Sequence, residues 1–417
     1  MSRILIVDDS KVITMSLTHL FKEAGVECIV ASSLKKATKE LEKCDFDVDA
    51  AILDLGLPDA PNGEIVDIVE SIDIPVIVLT GSEESENKFR EKDIIDFVVK
   101  DGRFSLEYAF STTLRLIKNK KSKVLIVDDS RVARAQMKSM LEYYKIDCIE
   151  AQDGVEALSI IKSTPDIKLV LTDYNMPNMD GLQLTREIRA IYKKSQLSIV
   201  VTTSNTGAVS PESFIKSGAN GFIYKGFSKE NLYIRVAENL DLIDLFQEVQ
   251  DKANKDFLTG MYNRRYFFEN GDALFKKAVK INSNINVAMF DIDKFKNIND
   301  TYGHDIGDIA ICEVAKVLDR HISKREGLIA RFGGEEFCLL NIGYDVEQFR
   351  VILENIRKSF ETNILQTKAG DIQFTVSIGF ASTALGCLED AVNASDKALY
   401  NAKNNGRNQV QLYIECD

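Results

Sequence analysis

Asp8 and Asp9 stand side by side after an apolar run at residues 4–7, and Asp128 and Asp129 follow a near-copy of that run at 124–127. Within each segment another apolar run ends in one aspartate, Asp54 in Ile-Leu-Asp-Leu and Asp173 in Leu-Thr-Asp-Tyr. A further run ends in a hydroxyl, Thr80 or Thr203, and the last in a lysine, Lys100 or Lys225. Three carboxylates crowd together only where a cation compensates them, and hard oxygen donors suit Mg²⁺. Such a metal holds an incoming phosphoryl group against one carboxylate, which attacks as a nucleophile. The hydroxyl can hydrogen-bond the new phosphoryl oxygens, and the lysine supplies positive charge to them. One acid after one strand is an ordinary solvated end. The same four-part set, twice and in the same order, is a site.

A second kind of acidic set lies near the C-terminus. An apolar run at 287–290 leads into Asp291-Ile292-Asp293 and a long polar stretch that includes Asn299, His304 and Asp308. If a strand continues through them, period-two alternation puts Asp291 and Asp293 on one side. Runs at 328–332 and 337–340 flank Gly333-Gly334, a pair suited to a hairpin turn. The turn places Glu335 and Glu336 at its tip. Acids on separate strands can hold Mg²⁺ between them, neutralising triphosphate charge and polarising an α-phosphate. The glycines let a backbone approach phosphates closely. Lys403 and Arg407 are four apart, so one helical turn would present both cations on one face.

The elements that must position these groups follow from the apolar pattern. Residues 2–12 and 122–132 read SRILIVDDSKV and SKVLIVDDSRV. The offset of roughly 120 residues makes each repeat domain-sized, a duplication and not a solenoid. Strands are expected at 4–7, 27–30, 50–53, 76–79 and 97–99, then at 124–127, 147–150, 169–171, 199–201 and 222–224. Amphipathic helical stretches separate them, which implies parallel β-α units around a buried sheet. The carboxyl ends of such strands lie along one edge, where the acids, hydroxyl and lysine of each repeat can meet. Leu232, Val236, Leu240, Ile243, Phe246 and Val249 then recur at helical spacing. That predicts a helix over about 228–255, whose second half has no sheet left to cover and is free to pair with another chain.

Composition narrows the function classes. The chain has 417 residues and a net charge of −12, which argues against sequence-independent nucleic-acid binding. No stretch is long and apolar enough to suggest a membrane span, and the first nine residues contain two acids, so a cytoplasmic protein is expected. Seven scattered cysteines without a C-x-x-C pair suggest buried thiols in place of disulfides or zinc.

Both repeats resemble receiver domains of two-component response regulators, over about 1–120 and 121–245. The resemblance implies flavodoxin-like (βα)5 folds with strand order 2-1-3-4-5 and Asp54 and Asp173 as phosphoacceptors. It also implies metal sites built from Asp8, Asp9 and Asp54, and from Asp128, Asp129 and Asp173. Thr80, Lys100, Thr203 and Lys225 would serve phosphoryl binding and switching, and sensor histidine kinases would be the partners. Phe97 and Phe222 occupy the family's switch-aromatic position, although simple packing explains them equally well. Receivers usually carry proline after the lysine; Asp101 and Gly226 stand there instead.

Residues 251–417 resemble the GGDEF family of diguanylate cyclases, in a GGEEF form. That implies an α+β, palm-like domain with an antiparallel central sheet. It also implies cyclic di-GMP synthesis from two GTP, with Asp291, Glu335 and Glu336 catalytic and Asp291, Ile292, Glu335 and Glu336 at the magnesium site. Asn299 and Asp308 would read the guanine, Lys403 and Arg407 would grip phosphates, and Gly333 and Gly334 would lie along the substrate. His304 reads as structural. Because each domain holds one GTP, a homodimer is implied. Many members carry Arg-x-x-Asp for product inhibition; Lys324-Arg325-Glu326-Gly327 stands at that place, so weak feedback is expected. The alternatives are a catalytically silent GTP or cyclic di-GMP-binding adaptor and a phosphorelay protein.

Overall fold

Runs rich in valine, isoleucine and leucine, each cut off by an acid, a hydroxyl or a lysine, become strands buried on both faces. The structure is a computed structural model that describes residues 2–81, 89, 92–204, 211–322, 327–368, 370–382 and 386–414. It divides into two compact units, Met1–Gln247 and Glu248–Asp417.

The first unit holds two parallel five-stranded sheets. One contains β1 (Arg3–Val7), β2 (Glu27–Ala31), β3 (Ala50–Asp54), β4 (Val76–Thr80) and β5 (Ile94–Val99), in the order β2-β1-β3-β4-β5. The other contains β6 (Lys123–Val127), β7 (Asp147–Ala151), β8 (Ile167–Asp173), β9 (Ser198–Thr203) and β10 (Gly221–Tyr224), in the order β7-β6-β8-β9-β10. Both orders are the expected 2-1-3-4-5. Central strands such as β3, β4 and β9 are buried at every residue, which is why they read as continuous apolar runs. One cluster of buried side chains runs through both repeats, from Phe21 and Leu116 to Tyr144, Tyr233 and Leu240.

A helix that spans Lys229–Asn254 begins in this unit and continues past its end at Gln247. Leu232, Val236, Leu240 and Ile243 are buried, whereas Leu242, Leu245, Phe246 and Val249 are exposed. The stripe therefore changes character once the helix leaves its own sheet, as its length predicts.

The second unit is built on β11 (Tyr262–Asn263), β12 (Ile285–Ile292), β13 (Gly327–Gly333), β14 (Glu336–Ile342), β17 (Val376–Ser382) and β18 (Val410–Leu412), with a separate hairpin of β15 (Leu365–Thr367) and β16 (Gly370–Ile372). The sheet order is β11-β13-β14-β12-β17-β18, with antiparallel pairing among its four inner strands. Helices Arg264–Lys280 and Leu388–Asn404 share one apolar cluster with the sheet, while His304–His321 and Val346–Thr362 share another. Gly379 on β17 makes this closeness possible: a Cβ there would sit 2.0 Å from the Leu399 nitrogen.

The expectation of buried thiols needs correction. The cysteines are not uniformly buried: Cys338 is, Cys28, Cys44, Cys148 and Cys312 are half-buried, and Cys387 is exposed; Cys416 lies outside the described residues. Most sit at strand or helix edges, where one side faces solvent. Lys324, Arg325 and Glu326 of the feedback motif also lie outside the described residues. No peptide bond of the described residues is cis, so both lysines are followed by trans Asp101 and Gly226.

Candidate functional sites

In the first repeat β1, β3, β4 and β5 end at one edge and deliver their last residues together. Lys100 Nζ lies 2.9 Å from Asp54 Oδ2 and 2.9 Å from Asp8 Oδ2. The Lys100 backbone donates to the Thr80 carbonyl at 2.7 Å, which holds the carboxyl ends of β4 and β5 side by side. The second repeat reproduces this, with Lys225 Nζ 2.8 Å from Asp173 and 3.0 Å from Asp128, and Lys225 N–H donating to Thr203 at 2.7 Å.

Burial pushes the Asp8 and Asp173 carboxyls above their ordinary range, and their lysines pull only partly in the opposite direction. Asp8 Oδ2 is buried and meets Lys100 without hydrogen-bond alignment. Ligand oxygens of Asp8, Asp9 and Asp54 lie within 4.8 Å of one another, as do those of Asp128, Asp129 and Asp173. In each set two acids are buried and one is exposed, a donor set suited to a hard cation that solvent can still reach. Phe97 and Phe222 are both half-buried; Phe97 packs on Phe89 and Phe222 on Tyr224.

The C-terminal set is assembled by strand register. Asp291 on β12 is paired with Glu336 on β14 on one side and with Ser377 on β17 on the other. The turn is Gly334-Glu335, with Gly333 already opposite Glu336 and Gly334 at φ 51°, a left-handed conformation. Glu335 thus occupies the tip, whereas Glu336 is the first residue of β14 and not a tip residue. Asp291 is 5% exposed, and its Oδ2 lies 2.7 Å from Lys403 Nζ. Burial raises its pKa to about 6; Lys403 opposes the rise, and the charges of Glu335 and Glu336 add to it. A buried acid with two acidic neighbours and one ammonium fits a cation site. Among the described residues, however, only the two repeat triads bring three such oxygens within 4.8 Å. Ile292 can offer only its backbone carbonyl.

Asp293 belongs elsewhere. Its carboxylate accepts from Thr375 Oγ1 at 2.7 Å, Ser377 Oγ at 2.6 Å and the Asn408 backbone at 3.0 Å. These bonds tie β12 to β17 and to the segment after the last helix.

Lys403 and Arg407 do not share a helical face. The helix Leu388–Asn404 ends before Arg407, with Gly406 at φ 112° and Arg407 at φ 65°. Arg407 instead lines a cavity of about 670 Å³ together with Asp293, Lys294 and Asn297.

Asn299, on the helix Phe295–Tyr302, and Asp308, on the helix His304–His321, come from adjoining helices. The buried Asn299 Oδ1 has no hydrogen-bond partner and lies 2.0 Å from where a Cβ on Gly307 would be. An orphaned acceptor of this kind, beside the residue that precedes Asp308, suits a ligand offering donors. His304 is exposed at the start of its helix, so it packs no core.

Sequence reasoning passed over Arg331. Its Nη1 contacts both oxygens of Asp256 at 2.9 and 3.0 Å, while Nε and Nη2 donate to the Gly334 carbonyl at 2.9 and 2.7 Å. Only its position two residues before Gly333 hinted at this.

Known families cover the domains in which these residues lie. The profile of the response regulator receiver domain family matches residues 4–106 and 124–237, and that of the diguanylate cyclase GGDEF domain matches 253–409. The response regulator PleD of Caulobacter vibrioides is 29% identical over 308 residues, which are 69% of this chain and 65% of that protein. Diguanylate cyclase A of Treponema denticola is 36% identical over 173 residues, 40% of this chain and 46% of that one. The chain therefore spans less than two thirds of these curated relatives. A solved structure of a two-component system response regulator/GGDEF domain protein is 35% identical with a TM-score of 0.53, covering 58% of this chain and all of that one.

Proposed function

The chain belongs to the response regulators, carrying two receiver domains ahead of a GGDEF domain, and from that premise we propose that it is a phosphorylation-controlled diguanylate cyclase. It condenses two GTP into cyclic di-GMP and releases two pyrophosphates. The observation that carries this reading is Asp291 in register with Glu336, with Glu335 at the adjoining turn and Lys403 against Asp291.

In each half-reaction the 3′-hydroxyl oxygen of one GTP bonds to the α-phosphorus of the other. The bond from that phosphorus to the bridging oxygen breaks, and pyrophosphate leaves with the electron pair. The hairpin carboxylates accept the hydroxyl proton. Lys403 and Arg407 hold the phosphates, Gly333 and Gly334 keep the hairpin free of side chains beside them, and Asn299 with Asp308 reads the guanine edge. Asp291, the Ile292 carbonyl, Glu335 and Glu336 would hold magnesium, which when bound would neutralise triphosphate charge and polarise the α-phosphate.

Each domain holds one GTP, so two copies must meet as a homodimer. The exposed Leu242, Leu245 and Phe246 support such pairing. Asp54 and Asp173 accept phosphoryl groups from sensor histidine kinases at magnesium-dependent sites, assisted by Thr80, Lys100, Thr203 and Lys225. We place the domain boundaries near residues 120 and 251. No helix among the described residues is long and apolar enough to cross a membrane. The net charge of −12 argues against nucleic-acid partners, and a cytoplasmic location is part of the proposal.

The test is GTP turnover with Mg²⁺, assayed for cyclic di-GMP and pyrophosphate, with and without beryllofluoride as an aspartyl-phosphate mimic. Product that rises with beryllofluoride and vanishes in Glu336→Ala supports the reading. Folded protein that binds GTP and makes no product in either condition points to a binding adaptor.

A further inference from the structure

Arg115, in the last helix of the first receiver (Arg103–Asn119), keeps only 2% of its side chain exposed. Its Nη1 donates to Asp241 Oδ1 at 2.8 Å and to Asp244 Oδ2 at 2.7 Å. Nε donates to Asn119 Oδ1 at 2.7 Å, and Nη2 reaches Ser122 Oγ at 3.3 Å. Both aspartates sit on the helix Lys229–Asn254, in the part that begins to leave the second receiver's sheet. Lys168 from β8 adds a bond of 2.7 Å to Asp244. The first receiver thus grips the output helix of the second through a buried cation. A desolvated guanidinium stripped of its carboxylates is costly, so the grip defines one position of the helix. Asp241 and Asp244 are three residues apart on one face, and a rotation or one-turn shift of that helix breaks both contacts at once.

The same first-receiver helix is also tied to the phosphorylation pocket. Tyr108, two turns before Arg115, donates its hydroxyl to Asp96 Oδ2 at 2.6 Å. Asp96 lies on β5, four residues before Lys100, which bridges Asp8 and Asp54. Tyr108, Arg115, Asp96 and Asp241 border one cavity of about 240 Å³ at the seam. Beyond it, Asn119 Nδ2 donates to the Tyr144 carbonyl at 2.9 Å, and Lys229 Nζ donates to the Lys92 carbonyl at 2.7 Å.

We propose that the first receiver steers the output helix directly, through the hold of Arg115 on Asp241 and Asp244. A change at Asp54 moves Lys100 and β5, passes to the helix Arg103–Asn119, and shifts the register of the output helix against the second receiver. The function proposed above gives the receivers control without a route; this names one for the first receiver. It rests on the cyclase reading for its enzymatic readout only. Contiguous contacts become coupling when a change at one end is shown to alter the other.

The experiment uses the full chain in two backgrounds. In Asp173→Asn only the first receiver responds to beryllofluoride, and in Asp54→Asn only the second does. Cyclic di-GMP formation and hydrogen exchange of the 241–247 amides are both recorded. In Asp173→Asn, beryllofluoride alters the exchange and raises product. Adding Asp241→Asn, at an exposed position and with Asp244 still paired to Arg115, or Arg115→Gln cuts that stimulation by about fivefold or more, within the usual range of allosteric coupling. Arg115→Lys restores part of it. In Asp54→Asn the same changes leave stimulation within about twofold.

The proposal is overturned if Asp173→Asn shows no response, if Asp241→Asn and Arg115→Gln leave its response intact, or if both backgrounds lose stimulation alike. An exchange response that depends on Arg115 without any product would sink the cyclase reading and keep the clamp.

Discussion

Arg331 joins Asp256 to the tip of the GGEEF hairpin: one guanidinium contacts both Asp256 oxygens at 2.9 and 3.0 Å and closes on the Gly334 carbonyl at 2.7 Å. Burial pushes the Asp256 carboxyl up, but hydrogen bonds from Arg331 and Thr259 outweigh it and hold the group below its usual range. The turn that carries Glu335 is therefore braced from the start of the domain.

Removing the brace leaves a part-buried carboxylate and lets the turn move. Arg331→Met should lower kcat by roughly 10–100-fold, the equivalent of one or two charged hydrogen bonds. KM for GTP should change little, because Arg331 touches neither the guanine pair nor Lys403. Steady-state kinetics on folded protein checks the split; a rise in KM at constant kcat would contradict the positioning role.

Gly307→Ala should weaken GTP binding. The new Cβ would sit 2.0 Å from Asn299 Oδ1 and push that amide off its place. A loss of about tenfold or more in GTP affinity is expected, in line with one disrupted hydrogen-bonding side chain. Calorimetric titration of Gly307→Ala measures it, with circular dichroism as a check on the fold.

The Asp291 carboxyl, raised to about 6 in the folded chain, makes metal-free stability depend on pH. A folded pKa above the unfolded one favours the protonated form. Its contribution is thus full below about pH 4 and lost as pH rises through 6. The size is on the order of 2–3 kcal/mol at most, given about 1.4 kcal/mol per unit. In metal chelator, Asp291→Asn should lose this pH dependence between about 4 and 6. Chemical denaturation across that window compares the two proteins. Parallel profiles would show that Asp291 titrates normally.

Asp54→Asn and Asp173→Asn should each remove one of two phosphorylation sites, and the double variant both. Incubation with a small-molecule phosphodonor and Mg²⁺, followed by intact-mass measurement, counts the sites. Uptake that persists in the double variant would place the phosphoacceptor elsewhere.

Much of the molecule was legible in its residues. Strand positions and the acids, hydroxyls and lysines at strand ends depend on local apolar runs, and a parallel sheet then lines up those ends without further information. The duplication of Asp8-Asp9 by Asp128-Asp129 made the repeat plain. The helix stop before Arg407 was also written locally, as Asn404-Asn405-Gly406, where a glycine at positive φ closes a helix. Four-residue spacing alone gave the wrong face.

The tertiary structure decided the rest. Asp293 turned away from a site role because Thr375, Ser377 and Asn408 converge on it from distant segments. Arg331 meets Asp256 across 75 residues, and Arg115 meets Asp241 across 126. A buried arginine looks like any other arginine until its partners are in place. The residues alone therefore set which strands form and which groups stand at their ends, because those depend on neighbours in the chain. Which distant charges pair away from those strand ends was set only by packing, because burial calls for an ion partner and burial is a property of the whole fold.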